Sequence, residues 1–256
     1  MEPVTSILDS EYNNTTTIRT FDSSDTNNVS SPPKHNSTEY KTSKNLIPQI
    51  YCATHNINGL SQDITKLYHL LDYCNQHRID IIAVTETNIS KKAAAFILVE
   101  PYKYKGFWAE ADNKIKGSGL GVLVATHLEQ FISKVDYTSI PHYGIIITFT
   151  FKGCTITVIN IYCPPSDVTT HFKITEVIQQ HTRTTRKQHR HFTIIQGDFN
   201  SIIDPSLDRK GNTRFYKKAN VVMQCIQRYL YIDAYRILHP DCKQYTWSTH
   251  RGDLGI

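Results

Sequence analysis

The stretch Phe192 to Asn200, F-T-I-I-Q-G-D-F-N, constrains this chain more than any other. Its first half is apolar and β-branched, the pattern of a buried strand. It then stops at Gly197 and presents an acid and an amide, Asp198 and Asn200, with Phe199 between them. In an extended backbone, residues two apart face the same way. Asp198 and Asn200 are therefore expected to point into one cleft at the strand's end, with Phe199 anchoring the other side. A carboxylate beside an amide can hold a water or hydroxide against an electrophile, with a metal's help. The same letters also suit a strand followed by an Asx turn, since Gly, Asp and Asn are common turn residues. Both readings stay open on this stretch alone.

Other predicted strands also end on polar residues. Ile47 to Ile57 alternates in strand fashion and runs into H-N-I-N-G-L, which places Asn56 and Asn58 two apart at a strand end, or in an ordinary turn. Asp63 to His77 carries Ile64, Leu67, Leu70, Leu71 and Cys74 at helical spacing. Ile79 to Glu86 is a buried strand whose last residue is a carboxylate. An acid straight after I-I-A-V-T is costly to bury unpaired, so Glu86 is either solvated at the sheet rim or holding a metal. Strand, helix, strand in this order points to an α/β protein.

Tyr104 to Phe151 reads as four strands. Its G-S-G-L-G segment, Gly117 to Gly121, has no following Lys-Ser/Thr and no helix, so it reads as a tight turn with close strand packing, not a phosphate loop. Cys154 to Tyr162 alternates again, and the C-P-P-S that follows forces the chain off the sheet. Tyr162 is then a third polar group at a strand end, or an ordinary half-buried strand tyrosine. Val168 to Gln180 reads as a helix. The basic His181 to His191 segment, H-T-R-T-T-R-K-Q-H-R-H, reads as a solvated turn or, alternatively, a phosphate-contacting rim. Beyond Asn200 come Arg209, Lys210, Arg214, Lys217 and Lys218, then two helical stretches at 218–229 and 232–238, then Q-Y-T-W-S.

The first 46 residues are rich in Ser, Thr, Asn and Asp without hydrophobic periodicity, which predicts a disordered leader ahead of one domain at 47–256. Residues 1–50 hold six acids against four Lys/Arg, a net of −2, so the remainder carries +7 of the overall +5. A basic globular part suggests a polyanionic partner. The six cysteines are scattered with no C-x-x-C pair, which predicts buried reduced thiols and argues against zinc. No apolar run approaches a membrane span and the N-terminus lacks a secretory pattern. An intracellular protein, nuclear or otherwise, is expected, neither secreted nor membrane-bound.

Four strand ends thus carry polar residues: Asn56/Asn58, Glu86, Tyr162 and Asp198/Asn200. Their convergence at one rim makes a single cleft. In this order and spacing they resemble the endonuclease/exonuclease/phosphatase family of metal-dependent phosphoesterases. L-D-R-K at 207–210, Y-I-D-A-Y-R-I-L-H-P at 231–240 and Q-Y-T-W-S look like its LINE-type (non-LTR) retrotransposon branch. That resemblance implies a four-layer α/β sandwich: two packed, mainly antiparallel or mixed sheets flanked by helices, here lacking the last strands. It implies a monomer that nicks double-stranded DNA to leave a 3′-hydroxyl, with a reverse transcriptase encoded downstream in the parent element.

By position, Asn56 would contact the active-site phosphate, with Asn58 also on the substrate side. Glu86 would be the ligand of Mg²⁺ (or Mn²⁺), a hard oxygen suited to a hard cation. Tyr162 would bind or polarise the scissile phosphate. Asp198 would orient and deprotonate the attacking water, with Asn200 helping to hold the phosphate. Thr246 matches a position near the phosphate, and Arg209 would touch the DNA backbone. The chemistry needs such a set because a phosphodiester is anionic and its transition state gathers more charge on oxygen. The chain departs from the family pattern at its end, where an Asp in an R-I-D-Y-type strand and a terminal S-D-H histidine are expected. Asp253 follows Trp247 too closely to serve, and His250 to Asp253 reads as the loop before a missing strand. His55 stands where a tryptophan is common and reads as a packed side chain. The expectation is a destabilised chain of impaired activity. The competing readings are a non-catalytic DNA-binding remnant and a phosphoesterase of small phosphates.

Overall fold

In a computed structural model, which describes residues 7–9, 49–112, 117–208, 219–243 and 245, the apolar runs become strands of two packed sheets. The strands are Ile7–Asp9 (β1), Cys52–Asn56 (β2), Ile81–Thr85 (β3), Tyr104–Ala109 (β4), Leu120–Ala125 (β5), Ile132–Asp136 (β6), Gly144–Phe151 (β7), Cys154–Tyr162 (β8), His191–Asp198 (β9) and Tyr231–Asp233 (β10). The helices are Thr65–Gln76 (α1), Lys91–Ala94 (α2), Thr126–Glu129 (α3), Val168–Thr185 (α4), Val221–Arg228 (α5) and Ala234–Leu238 (α6). One sheet has the order β10-β1-β9-β8-β7-β6 and the other β2-β3-β5-β4. Two pairs run parallel, β2 with β3 and β8 with β9, each joined by a crossover that carries a helix, α1 or α4.

Burial sorts the side chains into layers. Cys52, Ile81, Val122, Val158 and Ile194 meet between the sheets. Ile159, Ile161 and Ile195 face the other way and pack with Ile174 and Ile178 of α4 and Val222 and Ile226 of α5. Ile82, Val84 and Leu123 pack with Leu67, Leu70 and Leu71 of α1. Helix, sheet, sheet, helix is the four-layer sandwich that the resemblance implies. Both parallel pairs end at the same edge of the sandwich, and their registers align Asn56 with Thr85 and Tyr162 with Asp198.

Several expectations change. Within the stretch 1–46, the described residues 7–9 form β1, paired antiparallel to β10 and to β9 at Ile7↔Ile195. The predicted helix at 218–229 is α5, and 232–238 splits into the short strand β10 and α6. Helix α4 does not stop at Gln180 but runs to Thr185, so half of the basic segment is helical. Its threonines turn their hydroxyls back onto the helix, Thr182 to Ile178 O (2.7 Å) and Thr185 to His181 O (2.9 Å), and Thr182 also meets the Tyr231 hydroxyl at 2.7 Å. That tertiary contact overrides a weak helical propensity.

Candidate active site

At the shared edge, side chains from both sheets meet. Asn56, the last residue of β2, donates through Nδ2 to Glu86 Oε1 at 2.9 Å and to Asp198 Oδ2 at 3.2 Å. Its Oδ1 accepts the Asn58 backbone N–H at 3.0 Å, which fixes the amide's orientation. The Tyr162 hydroxyl, at the end of β8, donates to Glu86 Oε1 at 2.8 Å. Two hydrogen bonds therefore sew the sheets together, Tyr162 to Glu86 and Asn56 to Asp198. Alternation places these groups: Tyr162 follows the inward-facing Val158, and Asp198 follows Ile194 and Gln196 on the inter-sheet face.

One pleat below, Asn160 and Gln196 are opposite each other in the register and fully buried. Gln196 Nε2 donates to Asn160 Oδ1 at 2.6 Å, and Asn160 Nδ2 donates to Ile145 O at 3.0 Å. This amide pair holds β8 against β9 directly under Tyr162 and Asp198. Nothing in the sequence separated it from the strand core except that Asn and Gln are unusual inside such runs.

The backbone around the cleft is strained. Asn58, Glu86, Asn88 and Asn200 all adopt left-handed φ, between 45 and 54°. Such conformations cost free energy in residues other than Gly and gather where surrounding structure imposes them. Asn88 Oδ1 accepts from the backbone of Gly117 (2.9 Å) and Ser118 (3.2 Å), which pulls that loop across Glu86. Gly117 is needed there: its φ is +81°, and a Cβ would stand 3.2 Å from Glu86 Oε2. Gly121 has the expected packing role, with the Trp108 ring lying where a Cβ would be. Asn88 and Gly117 are site residues that sequence reading missed, because their role depends on a contact across the sheet edge.

Asp198 has its pKa raised, first by burial and then by the nearby Glu86 charge, against the hydrogen bonds from Asn200 and Asn56 that favour its ionised form. The Tyr162 phenol is pushed far up, first by burial and then by Glu86 itself, so it stays a neutral donor. Two carboxylates held by one amide offer hard oxygen donors suited to Mg²⁺ or Mn²⁺ and unsuited to zinc. Glu86 Oε2 is turned to the Gly117 cradle and away from Asn56 and Tyr162, so the donor set fits a hard divalent cation. Among the described residues no cluster of three or more His, Cys, Asp or Glu accompanies it.

Asn56, Glu86, Tyr162 and Asp198 are thus brought together. Asn200 is nearby but not by strand alternation. The strand ends at Asp198, and Asn200 turns left-handed, so its N–H donates to Asp198 Oδ1 (3.0 Å) and its amide to Cys163 O (2.9 Å). The stretch is an Asx turn and a site at once. Phe199 is buried on the opposite side, in the α4/α5 core. Asn58 is exposed, with φ +50°, and among the described residues it meets the site through its N–H to Asn56. Burial pushes the His55 imidazole down to about 4, as expected of a packed side chain. Thr246 and Arg209 lie outside the described residues. The basic segment before β9 stands at the far end of that strand, about 23 Å from Asp198 at 3.3 Å per residue, so it cannot be a rim of this cleft.

The family model of the endonuclease/exonuclease/phosphatase family matches residues 53–255. The fold resembles the solved APE2 catalytic domain of Xenopus laevis, with TM-score 0.60, 19% identity, and 78% of this chain and 76% of that one covered. It resembles the AP endonuclease LMAP of Leishmania major, with TM-score 0.59, 15% identity and coverage of 78% and 72%. It also resembles the Neisseria 3′ phosphatase NExo, solved with a product DNA hairpin, with TM-score 0.56, 18% identity and coverage of 78% and 78%. At these identities the likeness is one of fold.

Proposed function

The chain belongs to the endonuclease/exonuclease/phosphatase family, and from that we propose that it is a Mg²⁺-dependent phosphodiesterase that nicks duplex DNA to leave a 3′-hydroxyl. The observation that carries this is Asn56, whose single amide nitrogen reaches both Glu86 and Asp198 and so fixes two carboxylates from different sheets in one cleft. Glu86 would hold Mg²⁺ (or Mn²⁺), which when bound offsets the phosphodiester's negative charge. Asp198 takes the proton of the attacking water, and its raised pKa brings it closer to the operating pH than an ordinary aspartate. Asn56, Asn200 and the neutral Tyr162 hydroxyl would donate to phosphate oxygens by exchanging the carboxylate and carbonyl acceptors they now hold, and so stabilise the charge that grows on the phosphate.

The LINE-type reading is supported by an ion pair between two of its three signature segments. Asp208 of L-D-R-K accepts Arg236 of Y-I-D-A-Y-R at 2.5 Å, and its other oxygen caps the N–H groups of Ile203 and Asp204. In such an element a reverse transcriptase would extend the 3′-hydroxyl, in the nucleus.

A second reading, a DNA-binding protein with little or no catalysis, is favoured by one observation. Among the described residues, the partners of Glu86 and Asp198 are Asn56, Tyr162 and Asn200, none of them a histidine. Supercoiled plasmid with Mg²⁺, with and without EDTA, decides between the two. Nicking that needs Mg²⁺, leaves polymerase-extendable ends and is lost in Glu86→Gln is expected. DNA binding without nicking selects the second reading, and hydrolysis of inositol phosphates in preference to plasmid overturns both.

A further inference from the structure

We infer that the end of the sandwich opposite the cleft is a second nucleic-acid surface, which binds the phosphate backbone without regard to sequence. Where α4 ends, Arg183, Arg186 and Lys187 are exposed, and Arg190 follows one turn on, just before β9. The adjoining β7–β8 turn adds Lys152, for Thr155 N–H donates to Arg190 O at 3.0 Å and the Arg190 guanidinium lies beside Gly153. Lys134 of β6 completes the face. It pairs with Thr148, whose hydroxyl meets that of Thr157 at 3.1 Å, and Thr157 meets His191 Nε2 at 3.0 Å.

The bland alternative is that these cations merely complement the C-terminal end of α4. A helix end presents roughly half a negative charge, and four Lys/Arg exceed that several-fold. Among the described residues none of the six is in an ion pair. The acids facing them are few. Glu176 lies two turns back on α4. Asp136 lies beside Lys134, but its carboxylate is occupied by the N–H and hydroxyl groups of Thr138 and Ser139, at 2.6 to 3.0 Å. Burial holds His181 neutral, with a pKa down to about 4, so the face's charge comes from Lys and Arg. Between β6–β8 and α4 the packing opens into a cavity of about 200 Å³ whose lining includes both Lys134 and Asp136, with Ser139, Thr157, His181 and Thr184. A row of exposed Arg and Lys, outside any ion pair among the described residues, suits the evenly spaced phosphates of a nucleic-acid backbone, a uniform polyanion.

This inference does not depend on the chemistry of the cleft. It is tested by fluorescence anisotropy of a 30-bp duplex in EDTA across a salt series. The variants are Arg183→Ala/Arg186→Ala/Lys187→Ala/Arg190→Ala and, separately, Lys134→Ala/Lys152→Ala, each checked for the native melt. The expected result is an affinity loss of at least about tenfold for the quadruple variant, and a log K against log salt slope shallower by about 3.6, since each of four lost phosphate contacts removes about 0.9. The double variant should lose less in the same direction. Plasmid nicking by the quadruple variant, if the cleft is catalytic, should remain sensitive to Glu86→Gln. Unchanged affinity and slope in the quadruple variant overturn the inference. So does competition by poly-glutamate as effective as by DNA of equal charge, which identifies an acidic-protein surface instead.

Discussion

Asp198 occupies a position that costs the folded chain stability at neutral pH. Burial and the Glu86 charge raise its pKa, so the ionised form is disfavoured in the folded protein relative to the unfolded chain. For a carboxyl raised on folding, the contribution to stability is fully present below the unfolded value near 4 and is lost as pH rises through the folded value. Asp198→Asn is therefore expected to melt higher than the wild type at pH 7, with the difference vanishing near pH 3. The same change should lower nicking by about 10²-fold or more, the usual contribution of a general base. Melting curves at the two pH values, beside plasmid assays, check both halves, and equal melting temperatures at pH 7 would count against the burial argument. The acid limb of the wild-type rate profile should also lie above the range of an ordinary aspartate. Tyr162 is the neighbouring case. Tyr162→Phe removes a part-buried hydrogen bond to a carboxylate, expected to cost about 1.5 kcal/mol, the low end for bonds to charged groups. A melting temperature unchanged within 1 °C, roughly the scale on which such losses would be missed, would show that the two sheets do not need this bond.

At the scale of the element, β9 carries the site because it is locked to β8 in a single register. Gly197 has φ +146°, and a Cβ there would stand 1.8 Å from Ile161 O on the paired strand. Gly197→Ala cannot be absorbed by a rotamer change, since the obstacle is backbone. It is expected to cost more than about 2 kcal/mol, in the range of severe backbone conflicts. Urea unfolding followed by fluorescence measures this, and a loss below about 0.5 kcal/mol would mean that β8 and β9 can slide. Helix α4 shows how an element outruns its sequence pattern. Threonines at 182, 184 and 185 argue for a helix stop, yet the helix continues, because Thr182 is buried against Tyr231 from a strand far along the chain.

For the whole molecule, the two ends of the sandwich have opposite character: carboxylates, amides and a phenol at one, uncompensated Lys and Arg at the other. Binding of a divalent cation to Glu86 should stabilise the folded chain alone. Mg²⁺ at about 100 times its dissociation constant is expected to add about 2.7 kcal/mol of stability. The increase should be absent in Glu86→Gln. Calorimetry with Mg²⁺ and with EDTA reads this without any activity assay, and an equal rise in the variant would place the cation elsewhere.

The sequence by itself determined strands β2 to β9, their polar ends and an α/β class, because alternation of apolar side chains is a local property, while the four-layer sandwich came with the family resemblance. It pointed to Asn56, Glu86, Tyr162 and Asp198 because each ends an apolar run. It also read the Gly117–Gly121 segment as a tight turn with close strand packing, and Gly121 packs against the Trp108 ring. Which of these groups touch was decided by the tertiary structure alone. Asn56 and Asp198 are 142 positions apart and meet only because two parallel strand pairs end at one edge. The roles of Asn88, Gly117 and the Asn160–Gln196 pair come from contacts across that edge and through the core, where no periodicity records them. The basic segment was legible as charge. Its distance from the cleft follows from β9, whose extended backbone separates His191 from Asp198 by the full height of the sheet.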